Sequence, residues 1–435
     1  MGVAMVSRRQ LLAGPIGAAA VAALGRADGA VGSGAASEAR VVVDGRPDWG
    51  AVRAQFRMEP GWVNLAMFYL ASHPRVVREA VDHLRRQIDA NPLSVTAGLS
   101  LPDGPTGWPR VRAALADYLG AQPEHLAMTA STAIGLGVVY NGVRTRPGQE
   151  FVLSDNDHFT HVEAARLAAD KHGARVRLCS WFDDPARTTA EEVTRAVREQ
   201  IRPHTRVLGV TWVQSSTGVR MPVRRIAEVV RQANKGRGEA DRCLLVVDGV
   251  HGLAAVDEDG ARLGADVLVA GTHKWLFGPR GTGLVWVCPQ ALDQVRPTFA
   301  SFIRGGGAAP LSPGGFLAFE HAFALPVSVA FHQRLGRTRV ADRVTELSTR
   351  AKEGLARIPG VTLRTPSAPG LSAGITCFSV RGRSDEEVVA RAAERRIRLS
   401  HASNENRPYP RIGTGIMNSP DDIDTALTAI ADIAR

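Results

Sequence analysis

Seven short apolar runs punctuate the middle of the chain, at residues 126–128, 151–153, 176–179, 207–212, 244–247, 267–270 and from 283 onward, with helix-like stretches between them. Unbroken apolar runs suit strands buried on both faces, and strands alternating with helices suit a parallel sheet. The pattern predicts an α/β fold whose large domain is a seven-stranded, mainly parallel, doubly wound sheet. At 435 residues the chain has room for more than this domain. After residue 287 the pattern changes to amphipathic helices at 327–335 and 340–358, strands near 361–364 and 375–380, and a helix at 386–395. These predict a smaller C-terminal α+β domain.

The runs at 244–247 and 267–270 each end in a polar cluster, Asp248 with His251 and Thr272-His273-Lys274. Both clusters fall at the carboxyl edge of the expected sheet, where open α/β sheets bind ligands. Only four of the 53 basic residues other than histidine are lysines. Lys171 ends a polar helix, Lys235 lies in a Gly/Arg loop and Lys352 lies on a charged helix face, whereas Lys274 sits between a strand and a Gly-rich turn, followed by Trp275, Leu276 and Phe277. An arginine there would stay protonated and form no imine. A carboxylate one strand-helix-strand unit upstream of such a lysine is the pairing that a pyridoxal 5'-phosphate (PLP) site needs, one group holding the aldehyde and the other keeping the ring nitrogen protonated. The plainer alternative is a salt bridge at a loop edge.

The strings VDGVHG and GTHKWLFGPRGTG resemble the signature of class V fold-type-I PLP enzymes, which include cysteine desulfurases, kynureninases and isopenicillin N epimerases. The resemblance runs from about Trp62 to the C-terminus and favours the epimerase-like branch. It implies Lys274 as the Schiff-base lysine, Asp248 as the partner of the ring nitrogen, and His251 near the phenolic oxygen, with Thr272 and His273 beside them. It also implies a ring stacked on the cofactor at His158, with Phe159 and His161 as alternatives one small register error away. Ser131 and Thr132 open an apolar helix after the first strand. Unpaired N–H groups and the helix dipole favour an anion there, and the resemblance assigns that place to the phosphate; simple helix capping by Ser131 is the alternative. Gln214 and Ser215 end the fourth run and are expected to reach the cofactor oxygen. Near the C-terminus, YPRIGTGIMNS resembles the substrate-carboxylate motif of the epimerase branch and points to Arg411, whose forked donors match a carboxylate. Relatives carry a Gly-Thr pair that reaches the phosphate of a neighbouring subunit. Phe323-Ala324 stand there instead, which weakens a cross-subunit hydroxyl but leaves a homodimer expected.

The N-terminus reads SRRQLLAGPIGAAAVAALG, an arginine pair at Arg8 and Arg9 followed by an apolar run to Leu24 and small residues. This is the layout of a signal peptide, and the paired arginines resemble a twin-arginine export signal. The run is too short and too rich in Ala and Gly for a stable membrane span. The expected division is a signal at 1–36, an N-terminal arm at 37–70, the large domain at 71–320, and linking helices with the small domain at 321–435. The mature enzyme is expected outside the cytoplasmic membrane, or in the cytoplasm if the signal reading fails. The segment 91–109, rich in Pro, Gly, Ser and Thr, reads as a loop at the mouth of the site.

The formal charge of +10 raises nucleic acid as a partner, but the arginines are scattered through helices without a concentrated run among aromatics. Cys179, Cys243, Cys288 and Cys377 show neither CxxC nor zinc spacing and read as free thiols, so no metal is expected.

The substrate is expected to be a small molecule carrying an α-amino-acid group. A desulfurase needs a nucleophilic thiol on a loop before the final arginine region, and residues 397–419 contain no cysteine. Transamination needs a supply of amino acceptor that is scarce outside the cell. The favoured expectation is an O2-dependent oxidative deamination or decarboxylation, with His158, His251 and His273 moving protons. Epimerisation, with Lys274 and a second acid/base exchanging the Cα proton, is the alternative, and transamination stands behind it. A non-catalytic PLP-binding protein is the reading outside enzymes.

Overall fold

The computed structural model describes residues 41–435 except 304, 316 and 402–406. The expected signal at 1–36 lies outside the described residues.

All seven apolar runs are strands of one sheet: β1 Leu126–Thr129, β2 Glu150–Ser154, β3 Arg175–Cys179, β4 Thr205–Thr211, β5 Leu244–Asp248, β6 Val267–Gly271 and β7 Gly283–Val287. Their order across the sheet is β1-β7-β6-β5-β4-β2-β3. Neighbours from β6 through β5, β4 and β2 to β3 are parallel, and β7 runs antiparallel to both β6 and β1. β7 is thus reversed in an otherwise co-directional sheet.

The strand sequences explain why both faces are covered. Leu245, Val247, Leu268 and Ala270 join one apolar core, while their neighbours Leu244, Val246, Val267 and Val269 join another. Successive side chains of a strand point to opposite faces, so an unbroken apolar run supplies both cores at once. Helices α3 Thr132–Gly142 and α4 Phe159–His172 pack on the second core through Leu136, Val139, Ala165 and Ala168. Helices α1 Arg75–Ala90, α2 Trp108–Leu119, α5 Ala190–Gln200 and α6 Val223–Ala233 pack on the first through Leu84, Leu115, Val197 and Ile226.

Helices α7 Phe319–Leu335 and α8 Arg337–Ala356 lead to a four-stranded antiparallel sheet of order β8-β9-β11-β10, made of β8 Val361–Leu363, β9 Ile375–Val380, β10 Ser400–His401 and β11 Pro410–Gly413. It shares a core with α9 Asp385–Glu394 and α10 Pro420–Ala434, in which Phe378, Ile412, Val388 and Ile430 are buried. Ser419 and Asp422 form a reciprocal capping box at the start of α10.

Two expectations are corrected. Helix α7 starts at Phe319 rather than residue 327 and continues through Pro326. A proline inside a helix removes one backbone hydrogen bond, but Ala322, Phe323, Ala324 and Leu325 are all buried, and Phe323 meets Trp108 edge-on with ring centroids 5.1 Å apart. Burial therefore outweighs the break. The segment 91–109 is also not a plain loop: it contains a helical turn, Ser94–Ala97, and an antiparallel pair, Leu99–Leu101 with Gly104–Thr106, whose Leu99, Leu101 and Thr106 point inward.

The arm before the large domain is tied to the C-terminal part. Arg53 forms an ion pair with Asp422 and donates to the Met417 carbonyl at 2.9 Å, and Val63–Asn64 pairs in parallel with Ile397–Arg398. This brings the residues after Asn64 against β11. No described helix is long and apolar enough to cross a membrane.

Candidate active site

The carboxyl ends of β1, β2, β4, β5 and β6 surround a cavity of about 290 Å³, to which Arg411 of β11 and the segment at Phe68 and Tyr69 also contribute. Its lining includes Ser131, Thr132, His158, Phe159, Ser215, Asp248, His251, His273, Lys274 and Arg411. The clusters expected at the ends of β5 and β6 therefore meet in one space.

Lys274 stands at the start of a tightly held turn. Thr272 Oγ1 lies 2.5 Å from Thr282 Oγ1, Gly278 N–H donates to the Thr272 carbonyl at 2.9 Å, and Trp275 Nε1 donates to the Thr414 carbonyl at 3.0 Å. Phe277 adopts the left-handed region, φ +54°, which a side chain enters only when its surroundings hold it. With its flanks fixed, Lys274 points its Nζ to within 3.1 Å of His251 Nε2.

Asp248 is buried, and its Oδ1 accepts the Val250 N–H at 3.0 Å. Burial raises its pKa to about 6, opposed by that hydrogen bond and by the Lys274 charge. A buried carboxylate is stabilised by a cationic donor set against it. Burial pushes His251 well below its ordinary value, with Lys274 and Arg411 adding to the effect, so the ring is neutral. Its buried Nδ1 has no hydrogen-bond partner among the described residues.

Helix α3 begins at the cavity. Ser131 Oγ accepts the Ile134 N–H at 3.2 Å as an N-cap, and Thr132 Oγ1 accepts the Gly271 N–H at 2.8 Å, fastening this end of the helix to β6. Helix α4 begins there too. His158 caps it through Nδ1, which accepts the Thr160 N–H at 3.3 Å and lies 2.8 Å from Thr160 Oγ1. Burial, with Lys274 and Arg411 nearby, lowers the His158 pKa to about 4. Phe159 also lines the cavity, its ring centroid 4.5 Å from that of His158. His161 does not reach the cavity: it is fully buried, 2.8 Å from the Tyr140 hydroxyl and 3.3 Å from Thr211 Oγ1.

Arg411 is buried with its fork held on three sides. Nε donates to Ser400 Oγ at 3.2 Å, Nη1 to the Ser215 carbonyl at 3.2 Å and Nη2 to the His401 carbonyl at 2.7 Å. His273 lines the cavity, its pKa lowered to about 4 by burial and then by Lys274 and Arg280.

Gln214 and Thr272, expected at the cofactor, do not line the cavity. Gln214 turns away because Ser154 Oγ accepts from its Nε2 at 3.2 Å and its Oε1 accepts from Thr217 Oγ1 at 2.9 Å. Thr211, the last residue of β4, lines the cavity. Thr272 is spent on the turn. None of residues 91–109 lines the cavity; Phe68 and Tyr69 stand at its wall instead. Sequence reading missed both, since they follow a two-residue strand with no periodicity.

The residues present fit PLP on their own chemistry: an amine, a buried carboxylate, a capped helix start, flat rings, and a buried His251 nitrogen that has no partner among the described residues. Comparison with known proteins agrees. The family model described as aminotransferase class-V matches residues 71–409. The chain is 28% identical over 405 residues to an isopenicillin N epimerase from Streptomyces clavuligerus, covering 88% of this chain and 98% of the relative. It is also 28% identical over 407 residues to an isopenicillin N epimerase from Amycolatopsis lactamdurans, covering 89% and 99%. Among solved structures, a C-DES mutant with glycine covalently linked to its PLP cofactor superposes with a TM-score of 0.75 at 20% identity, covering 87% of this chain and 99% of the other.

Proposed function

The chain belongs to the class-V aminotransferase family and takes pyridoxal 5'-phosphate as its cofactor, and from this premise we propose that it exchanges the Cα proton of an α-amino-acid group carried by a small molecule, as an epimerase does. When bound, PLP supplies an aldehyde that captures the substrate amine and a ring that withdraws electrons from a bond at Cα. Lys274 would hold the aldehyde, Asp248 the ring nitrogen, His158 the ring face, and Ser131, Thr132 and the start of α3 the phosphate.

One observation carries the choice of proton exchange: proton carriers enter the cavity from separate strand ends, Lys274 beside neutral His251 at the β5–β6 edge and neutral His158 after β2. In the sheet β2 is separated from β5 by β4. Exchange with change of hand needs one group to take a proton and another to return it from a different direction. The two relatives named isopenicillin N epimerase, matched over nearly their whole length, support the same reading. Arg411 receives the substrate carboxylate, which turns Cα toward Lys274. None of the described lining residues is a cysteine, and Cys377 is buried in β9 with its Sγ toward the Ser215 carbonyl, so the described wall of the cavity offers no thiol for desulfuration.

The reading includes a homodimer, for which Tyr69, Leu70, Ile134 and Phe159 supply exposed apolar surface beside the cavity, and export through the N-terminal signal. The experiment is a panel of α-amino acids and amino-acid conjugates given to the PLP-loaded protein in D2O with an oxygen electrode. Deuterium at Cα and inversion without O2 uptake are expected. O2 uptake with release of peroxide or CO2 would replace this reading with the oxidative one, and a 2-oxo acid formed in step with loss of the yellow colour would replace it with transamination.

A further inference from the structure

Phe68 lies between the short strand Val63–Asn64 and α1, is 1% exposed, and lines the cavity. Three groups converge on its ring. The Arg411 guanidinium carbon is 5.0 Å from the ring centroid, within the range of a cation–π contact. Trp275 lies nearly parallel, 6.3 Å away at 17°, and His251 meets the ring at 6.0 Å and 61°. The small domain makes room for this arrangement: a Cβ on Gly413 would overlap Phe68 Cδ1, and Gly413 N–H donates to the Leu65 carbonyl at 2.6 Å. β11 therefore passes against the Phe68 segment at the one residue type that leaves space for the ring.

The three neighbours of Phe68 belong to different parts of the reaction. Arg411 comes from the small domain, whereas His251, whose Nε2 lies 3.1 Å from the Lys274 amine, and Trp275, next to Lys274 in sequence, belong to the large domain. A guanidinium has five N–H donors, and three polar acceptors, Ser400 Oγ and the Ser215 and His401 carbonyls, hold the fork of Arg411 in its plane. Those bonds set the edge of the fork, and two of them are long, at 3.2 Å, so they resist tipping of the plane only weakly. A buried aromatic face beneath it opposes tipping.

We propose that Phe68 is a positioning residue for substrate recognition: its ring fixes the Arg411 guanidinium against His251 and Trp275, so that a carboxylate held by Arg411 brings Cα to the Lys274 amine. The inference rests on the reading of Arg411 as the carboxylate receptor. Phe68 touches no reacting atom and acts through the arginine.

The test uses PLP-loaded protein and two small amine probes, glycine and methylamine, which differ by the carboxylate. Each is titrated against the visible absorbance of the bound cofactor in the wild type and in Phe68→Leu, with Phe68→Met as a second variant of different shape should the first not give soluble holoenzyme. Wild type is expected to bind glycine more tightly than methylamine. Phe68→Leu is expected to weaken glycine roughly tenfold, a loss of the size a desolvated cation–π contact supplies, while leaving methylamine and the affinity for PLP unchanged. No preference for glycine in the wild type would remove the Arg411 reading and this proposal with it. A wild-type preference that survives in both variants, or a loss that falls equally on methylamine and PLP, would overturn the proposal for Phe68 while leaving Arg411 in place.

Discussion

Lys274 Nζ lies 3.1 Å from His251 Nε2, and the imidazole is buried, neutral and, among the described residues, unpartnered at Nδ1. A neutral ring so close to an amine can accept a hydrogen from it and return one. His251→Phe keeps a flat ring and removes this acceptor. We expect the variant to retain PLP and to lose turnover by roughly 10²-fold, the low end of general acid–base contributions. Steady-state kinetics checks this, and unchanged turnover would make His251 only a wall of the cavity.

On the proposed reading, Asp248 would supply the negative charge that holds the cofactor ring nitrogen. Asp248→Asn preserves shape and loses charge. Turnover should fall roughly 10²–10³-fold, a size typical of losing one preorganised electrostatic contact in a dry site. A titration of apoprotein with PLP should also show weaker binding, and wild-type values in both measurements would contradict the role.

Gly209 of β4 has its own constraint. A Cβ there would overlap the Tyr140 hydroxyl, lie 2.9 Å from Leu153 Cγ and 3.1 Å from His161 Nε2. The Tyr140–His161 hydrogen bond, 2.8 Å long, joins α3 to α4 across this strand, so glycine lets the helices that open at Ser131 and His158 be held together. Gly209→Ala should destabilise the fold by about 1–3 kcal/mol, the range for overpacking a core. Denaturant unfolding measures it, and an unchanged midpoint would argue against the contact.

Stability should fall in acid. Burial lowers His73, His158, His273 and His332 to about 4, His161 to about 3, and His251 well below its usual value. As pH drops through about 6.5, the ordinary value of histidine, the unfolded chain takes up protons that these folded rings refuse, so stability is lost down to about 4. Asp157 and Asp248, raised to about 7 and about 6 by burial, and Asp266, also raised by burial, act oppositely: they keep protons in the folded chain that the unfolded chain has released, a gain at acid pH that disappears as pH rises through their folded values. Six histidines outweigh three carboxylates, and melting temperature is expected to drop from neutrality to about pH 4.5. A flat or rising profile would contradict this balance.

Much of the architecture was legible because its signal is local. Each sheet strand is an apolar run whose length and neighbours declare it, and Asp248 and Lys274 follow directly on two of those runs. What escaped depends on contacts distant in sequence. Phe68 becomes a wall of the site only because Gly413 lets β11 pass beside it. Gln214 looked well placed at a strand end, yet hydrogen bonds to Ser154 and Thr217 turn its amide away, and residue order does not encode that choice. The early start of α7 was hidden by Pro326, whose local penalty is offset by burial of Phe323 against Trp108. The site follows the same division: strand-end residues were visible, and the residues that hold them were not.

The central claim is that the cofactor is joined covalently to the amine of Lys274, one of four lysines in the chain. Borohydride reduction of the yellow holoprotein, followed by peptide mass spectrometry, tests it directly. The account predicts a reduced pyridoxyl adduct on the peptide containing Lys274, absent in Lys274→Ala, whose preparation is colourless and inactive. An adduct on Lys171, Lys235 or Lys352 in its place, or a Lys274→Ala protein as yellow and as active as the wild type, would contradict it.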